Sequence, residues 1–402
     1  MAPYKLPVKQ NLANWWDAQN DYAELRDEAE VVRIDFPFGG EGWMTTTYDL
    51  VKQMYTDPNY SIEVQSDGKE YPRMRYIERD NSKNPSFMQY DGAKHQAKRA
   101  VLTKYLTVKR VNALRETTQK AIEETLDDLE AMGNPVDFTH NFAKLLPLKV
   151  LCALLGMPTI TDEAFLDACY TIVDSRVENP QELMAAFGTI VPFFNALYEE
   201  KTTNPGDDLM SAMIQDKNDG LWSEDELRNL GTTLLLAAHD ATGVMLNGQI
   251  EWLSHDPELY ARLRAEPELF PQAFEELLRL NSVGTSAPRG RVALEDAVLG
   301  GVTITAGEAV NGNLLAANTD PAVYPDPLTL NIDRERTQPH VVFGVGPHTC
   351  PGMHLARMEI TLSLQEILRR YKTFENVVES QEWPKDRLCK SAPEVVVKWE
   401  RA

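Results

Sequence analysis

One stretch, Phe343-Gly344-Val345-Gly346-Pro347-His348-Thr349-Cys350-Pro351-Gly352, constrains this chain more than any other. It sets a single cysteine on a glycine-rich loop directly before a helical pattern in which Leu355, Met358 and Leu362 recur at three- and four-residue spacing. Glycines let the backbone turn tightly and approach a flat partner without Cβ clashes. Pro351 suits the first turn of a helix, where its missing N–H is not needed. The cysteine sulfur then falls at the positive end of the helix dipole, a setting that favours thiolate over thiol. Cys350 therefore reads as a metal ligand.

This stretch resembles the haem-binding loop of the cytochromes P450, Phe-x-x-Gly-x-x-x-Cys-x-Gly with a histidine two places before the cysteine; Phe343, Gly346, His348, Cys350 and Gly352 fill those positions. The resemblance implies heme b (iron protoporphyrin IX) on Cys350, whose thiolate donates the electron density that favours O–O cleavage. It also implies a mainly α fold with small peripheral β-sheets, the cytochrome P450 fold, as a single domain over residues 1–402. The residues themselves agree. Helical periodicity dominates from about residue 92 to 281, while Val31–Asp35, Gly42–Thr45, Arg291–Val310 and Val395–Trp399 read as strands.

Lys and Arg number 40 against 61 Asp and Glu, so the net charge of −21 argues against nucleic acid or an anionic membrane as main partner. The N-terminus lacks the basic patch and apolar run of a signal peptide, and no apolar stretch reaches the roughly eighteen residues that span a bilayer. Cys152, Cys169, Cys350 and Cys389 show no paired spacing, which suits a reducing cytoplasm. The expectation is a cytoplasmic enzyme of the soluble bacterial type.

Glu276 and Arg279 lie at i,i+3 within the amphipathic pattern Phe270–Leu280. They resemble the family's Glu-x-x-Arg motif, with Arg334 at the position of its basic third member, and the implied role is to hold the cysteine loop. Haem propionates demand cations or donors when buried. His95 and Arg99 share one helical face at i,i+4, and with Arg291 and His348 they match the family's propionate contacts.

The distal segment Leu234–Gly243 departs from the pattern Ala-Gly-x-Asp/Glu-Thr. Ala238 stands for the glycine, Asp240 is the acid, and Ala241 occupies the threonine position, with Thr242 one residue beyond. In the family that hydroxyl helps position a water for proton delivery; alanine has no such group. Three explanations stay open: a substrate hydroxyl or amide orders the water, Thr242 or His239 acts through a water, or the reaction tolerates a weaker relay. An ordinary hydroxylase in which Ala241 is drift is a fourth reading. Position in the family pattern makes Gln65, Phe87, Met88, Leu235, His239, Val283, Gly284, Thr285, Ser286, Leu388 and Cys389 candidates for substrate contact.

The resulting reading is a haem-thiolate oxidase of bacterial secondary metabolism. Hydroxylation or radical C–C or C–N coupling of an aromatic cyclic dipeptide or peptide is the favoured chemistry. No flavin- or iron–sulfur-binding motif is visible, so electrons come from outside. A ferredoxin or flavodoxin with its reductase is the implied partner, docking near Lys94, Lys98 and Arg357. The alternative class is a non-catalytic P450-like module that binds a ligand or a carrier protein.

Overall fold

The structure is a computed structural model that describes residues 3–5, 20–36, 38–66, 71–72, 86–173, 177, 179–216, 220–281, 290–335, 338–378 and 392–402. Six helices position the site: α1 (Gly92–Thr103), α2 (Leu145–Leu155), α3 (Glu163–Val173), α4 (Leu230–His255), α5 (Phe270–Leu280) and α6 (Met353–Arg370). Helix α4 is the axis of the molecule. Its 26 residues span about 39 Å at the α-helical rise, and α2, α3, α5 and α6 all pack against it. Apolar side chains on most of its sides, Leu235, Leu246, Ile250 and Leu253 among them, are buried, the pattern of a helix enclosed by others. Each such side chain contributes about 1.5–3 kcal/mol by burial.

The helical periodicity expected over residues 92–281 is interrupted just before α4. Ser223 caps a short helix, Glu224–Arg228, through a reciprocal capping box: its hydroxyl accepts from the Glu226 N–H at 3.2 Å while Glu226 accepts from the Ser223 N–H at 2.9 Å. Helix α4 then starts afresh at Leu230.

The strands are peripheral, as expected. In chain order they are β1 (Tyr4–Lys5), β2 (Val31–Phe36), β3 (Gly40–Thr45), β4 (Tyr60–Ser61), β5 (Val136–Asp137), β6 (Arg291–Ala293), β7 (Ala297–Leu299), β8 (Val302–Ile304), β9 (Ala309–Gly312), β10 (Tyr371–Asn376) and β11 (Val396–Arg401). One sheet runs β1-β2-β3-β9-β6-β4, a second β10-β11-β5, and β7 pairs with β8. The β2–β3 hairpin matches Val31 with Thr45 and Phe36 with Gly40. Alternate residues of β2, Val32, Ile34 and Phe36, bury against Tyr22, Leu25 and Leu315. The sheets thus carry Arg291 to the site at the start of β6.

Candidate active site

The cysteine loop is held by its own backbone. Cys350 N–H donates to the Phe343 carbonyl at 2.8 Å, Gly344 N–H to Val341 at 2.8 Å, and Thr349 N–H to Gly346 at 3.1 Å. Gly346 sits at φ 79°, and a Cβ there would lie 2.6 Å from the Tyr55 carbonyl oxygen, so only glycine fits. Helix α6 begins at Met353 with Gly352 at its N-cap position, so Pro351 lies before the first turn and not within it. Arg99 donates to the Thr349 carbonyl, and the Arg357 guanidinium lies 5.0 Å from the Phe343 ring centroid.

The electrostatics of Cys350 correct a sequence expectation. Burial pushes its thiol up, and the Gly352 N–H and the Arg99 charge only partly oppose that. Without iron the site favours thiol over thiolate; the metal must supply the missing stabilisation.

Behind the loop, one buried triad holds the chain. Glu276 takes a bidentate pair from Arg279, at 2.9 and 2.7 Å, and a third bond from Arg334 at 2.9 Å. Arg279 also donates to the carbonyls of Asn318 and Pro327, and Arg334 to those of Asp326 and Thr329. All three side chains are buried. Burial would raise the Glu276 carboxyl, but the two guanidiniums win and hold it below its ordinary value.

His95, Arg99, Arg291 and His348 converge. The rings of His95 and His348 stack at 3.9 Å and 14°, and His348 Nε2 pairs with Asp91 at 3.0 Å. His95 is buried, and its Nδ1 has no partner. Burial, with the positive fields of His348, Arg99 and Arg291, lowers its pKa to about 4 against a weaker pull from Asp91. A buried, unmatched nitrogen surrounded by cations is a gap shaped for an anion. The haem's propionates fit that gap, and Cys350 fits its iron.

Sequence reading missed Asp91, which stands immediately before α1. Its Oδ2 accepts from the Ser61 hydroxyl at 2.7 Å and from the Ile62 and Glu63 N–H groups at 2.8 and 3.0 Å, while Oδ1 holds His348. Burial opposes ionisation, yet these donors keep the carboxyl well below the usual range. The residue type at a helix start was the available signal; its partners lie 28 to 257 positions away.

On α4, Ala237 is exposed and Ala238, Asp240 and Ala241 are half-buried, whereas Thr242 is buried at 6% exposure. Small residues therefore line the open side of the helix, and the one neighbouring residue with a hydroxyl, Thr242, is buried as a whole.

Several expected substrate contacts fall elsewhere. Phe87 is buried with its ring parallel to His95 and packed on Trp222 at 5.5 Å, so it supports the histidine stack. Leu235 is in the main core, Met88 packs against that core, and His239 turns toward α2, its Nε2 donating to the Lys144 carbonyl at 2.9 Å. Gln65 falls in a short 3-10 turn, Glu63–Ser66. Val283, Gly284, Thr285, Ser286, Leu388 and Cys389 lie outside the described residues. The docking patch also changes. Lys98 is buried, paired with Glu226 at 2.7 Å, and Arg357 is bound by Glu275; of the three, only Lys94 is exposed.

Comparison with known proteins agrees with this geometry. Residues 173–398 match the family profile Cytochrome P450. The chain is 32% identical to nocardicin C N-oxygenase of Nocardia uniformis subsp. tsuyamanensis, over 95% of its own length and 96% of that protein. It is likewise 32% identical to mycinamicin IV hydroxylase/epoxidase of Micromonospora griseorubida, over 94% of each. The crystal structure of cytochrome P450mel 107F1, described as having biaryl coupling reactivity, superposes with a TM-score of 0.89 at 29% identity, covering 99% of this chain and 100% of that one. The protein belongs to the cytochrome P450 family, a haem-thiolate monooxygenase class that draws its electrons from external redox partners.

Proposed function

We propose that this P450 oxidises a small, polar secondary metabolite whose own N–H or O–H orders the water above the haem, with an aromatic cyclic dipeptide or peptide as the preferred class. The single observation that carries this reading is Ala241 on the open side of α4 with Thr242 buried at 6% exposure. Ala241 offers no hydrogen-bonding group on that face and Thr242 is buried beside it, so the group that orders water there comes from the ligand. The printed names of its relatives support the class: one oxygenates at nitrogen, another has biaryl coupling reactivity.

Heme b bound through Cys350 would supply the O–O-cleaving chemistry for which thiolate ligation is suited. The protein's part is positioning. His95, Arg99, Arg291 and His348 would hold the propionates, Ala238 and Ala241 leave room above the ring, and Asp240 would hold a proton at its carboxyl beside that space. Phe343 and Gly352 shape the loop around the sulfur, and Glu276, Arg279 and Arg334 keep that loop in place.

A ferredoxin or flavodoxin with its reductase would deliver the electrons. Residues 92–115 contain no Asp or Glu in a chain of net charge −21, and Lys94, Lys109, Arg110 and Arg115 within them are exposed. A local basic face on an acidic protein steers an acidic partner. Among the described residues, Cys152, Cys169 and Cys350 form no disulfide, which fits a cytoplasmic protein.

Titrating the ferric protein with cyclic dipeptides, peptides, polyketides and terpenes while recording the Soret band tests the substrate class. A low-spin to high-spin shift confined to ligands bearing amide N–H or hydroxyl groups is the expected result. A shift from terpene hydrocarbons alone would overturn it.

A further inference from the structure

Asp240 lies one residue, about 100° round the helix, from Ala241, and it faces a cavity of about 50 Å³. Thr139, Lys144, Tyr170, His239 and Asn247 complete the polar part of its wall. Counting donors and acceptors there gives a definite result. Thr139 donates its hydroxyl to Asn247 Oδ1 at 2.8 Å, and Asn247 Nδ2 donates to the Ala392 carbonyl at 3.1 Å. Those two satisfy each other. His239 Nε2 must donate, because its partner is the Lys144 carbonyl at 2.9 Å. Its tautomer therefore leaves Nδ1 as an acceptor, and Nδ1 is buried with no donor. His239 as a whole is 2% exposed.

A water occupies about 30 Å³ in the liquid, so the cavity has room for one. We propose that this cavity is a proton-carrying water site, in which His239 Nδ1 and the Asp240 carboxylate together hold one water. It supplies protons to Asp240 from this flank of α4, while the ligand orders water on the open side. The water donates one O–H to Nδ1 and the other to Asp240. A proton arriving from solvent on its oxygen is matched by one leaving to the carboxylate, so the water is regenerated and His239 stays neutral. His239 is thus a positioning residue that acts through the water on Asp240. Among the described residues, Lys144, just before α2, and Tyr170, from α3, are the other ionisable groups facing it; the Lys144 ammonium lies 4.9 Å from the Tyr170 ring centroid. Burial keeps the imidazole neutral against the pull of Asp240, which suits an acceptor. This inference rests on the oxygenase reading.

Two variants separate the roles of the ring nitrogens. His239→Gln keeps a donor for the Lys144 carbonyl and loses the acceptor; His239→Asn keeps an acceptor where Nδ1 stood and loses the donor. The first readout needs no turnover: a crystal structure of the haem-loaded protein should hold a water within about 3.2 Å of Nδ1, absent in His239→Gln. A dry cavity overturns the site. The second is NADPH consumption by the haem-loaded protein with a plant-type ferredoxin and its reductase, followed between pH 6 and 8. His239→Gln should consume NADPH about tenfold more slowly, a loss below that of removing a direct proton donor, and it should gain a pH dependence absent from the native protein. His239→Asn should recover most of the rate. Equal rates in all three, or equal loss in both variants, overturn the relay. A native protein that holds the water yet consumes no NADPH would instead count against the oxygenase reading.

Discussion

At the scale of single residues, the proposed handling of protons falls to the side chains around position 241. Ala238 and Ala241 leave space and offer no hydrogen bond, while Asp240 keeps a carboxyl beside that space. A protein that relies on its ligand to order water makes two distinguishable predictions. Asp240→Asn, which cannot carry the proton, should lower turnover of any Soret-shifting ligand by about a hundredfold with haem content unchanged, read from NADPH consumption and product formation. Ala241→Thr should do the opposite of a loss: it should let analogues stripped of N–H and O–H groups be oxidised with less peroxide released. If the hydroxyl changes nothing for such analogues, the ligand is not the missing group.

Helices and loops set how firmly these residues are held. Breaking a buried ion cluster by removing one partner costs about 3–5 kcal/mol, so Arg334→Ala should lower the unfolding free energy by that amount and loosen haem before it alters ligand affinity. The measurement is denaturant unfolding of the haem-loaded protein, followed at the Soret band. Because the Glu276 carboxyl is held below its ordinary value, the stability it gives is present at neutral pH and is lost as pH falls through its folded pKa. His95 behaves differently. Its pKa lies below the ordinary histidine value, at about 4, so between about pH 6.5 and 4 the unfolded chain binds a proton that the folded haem-free chain refuses. Thermal unfolding of the haem-free protein should therefore shift to lower temperature as pH drops through that window, and His95→Gln should flatten the shift. If haem places a propionate at His95 as proposed, the negative charge would favour the protonated ring, and the loss should be smaller in the haem-loaded protein.

Much of this arrangement was legible in the sequence because the information is local. The i,i+3 pair Glu276 and Arg279 and the strand pattern from Val31 depend on neighbours a few residues away. What escaped depends on distant partners. Lys98 looks like a surface lysine until Glu226 is brought to it, and Phe87 looks like a loop side chain until His95 and Trp222 stack around it. Asp91 joins three segments, and no spacing rule announces that. Thr242 could be assigned to a face only once α4 was packed, since one residue moves a side chain by about 100°.

Across the whole molecule, α4 joins the two halves of the site. Its open side would face the haem that Cys350 is proposed to bind, while α6 starts directly after the cysteine loop and α5 anchors the segment before it through Arg279 and Arg334. The acid-free run through α1 lies at the start of the same assembly, with Arg99 reaching the loop itself. Reversing exposed charges there, as in Lys109→Glu with Arg110→Glu, should slow reduction by a ferredoxin about tenfold at low salt and little at high salt, with ligand-induced Soret shifts unaltered. The account as a whole depends on Cys350 binding iron as a thiolate even though the empty site favours thiol. The direct measurement is the carbon monoxide difference spectrum of the reduced protein. The native chain should give the strongly red-shifted Soret band of a thiolate-ligated haem, and Cys350→Ser should lose it while remaining folded. A native protein whose reduced carbon monoxide complex lacks the red-shifted band, or a Cys350→Ser variant that keeps it, would contradict the account.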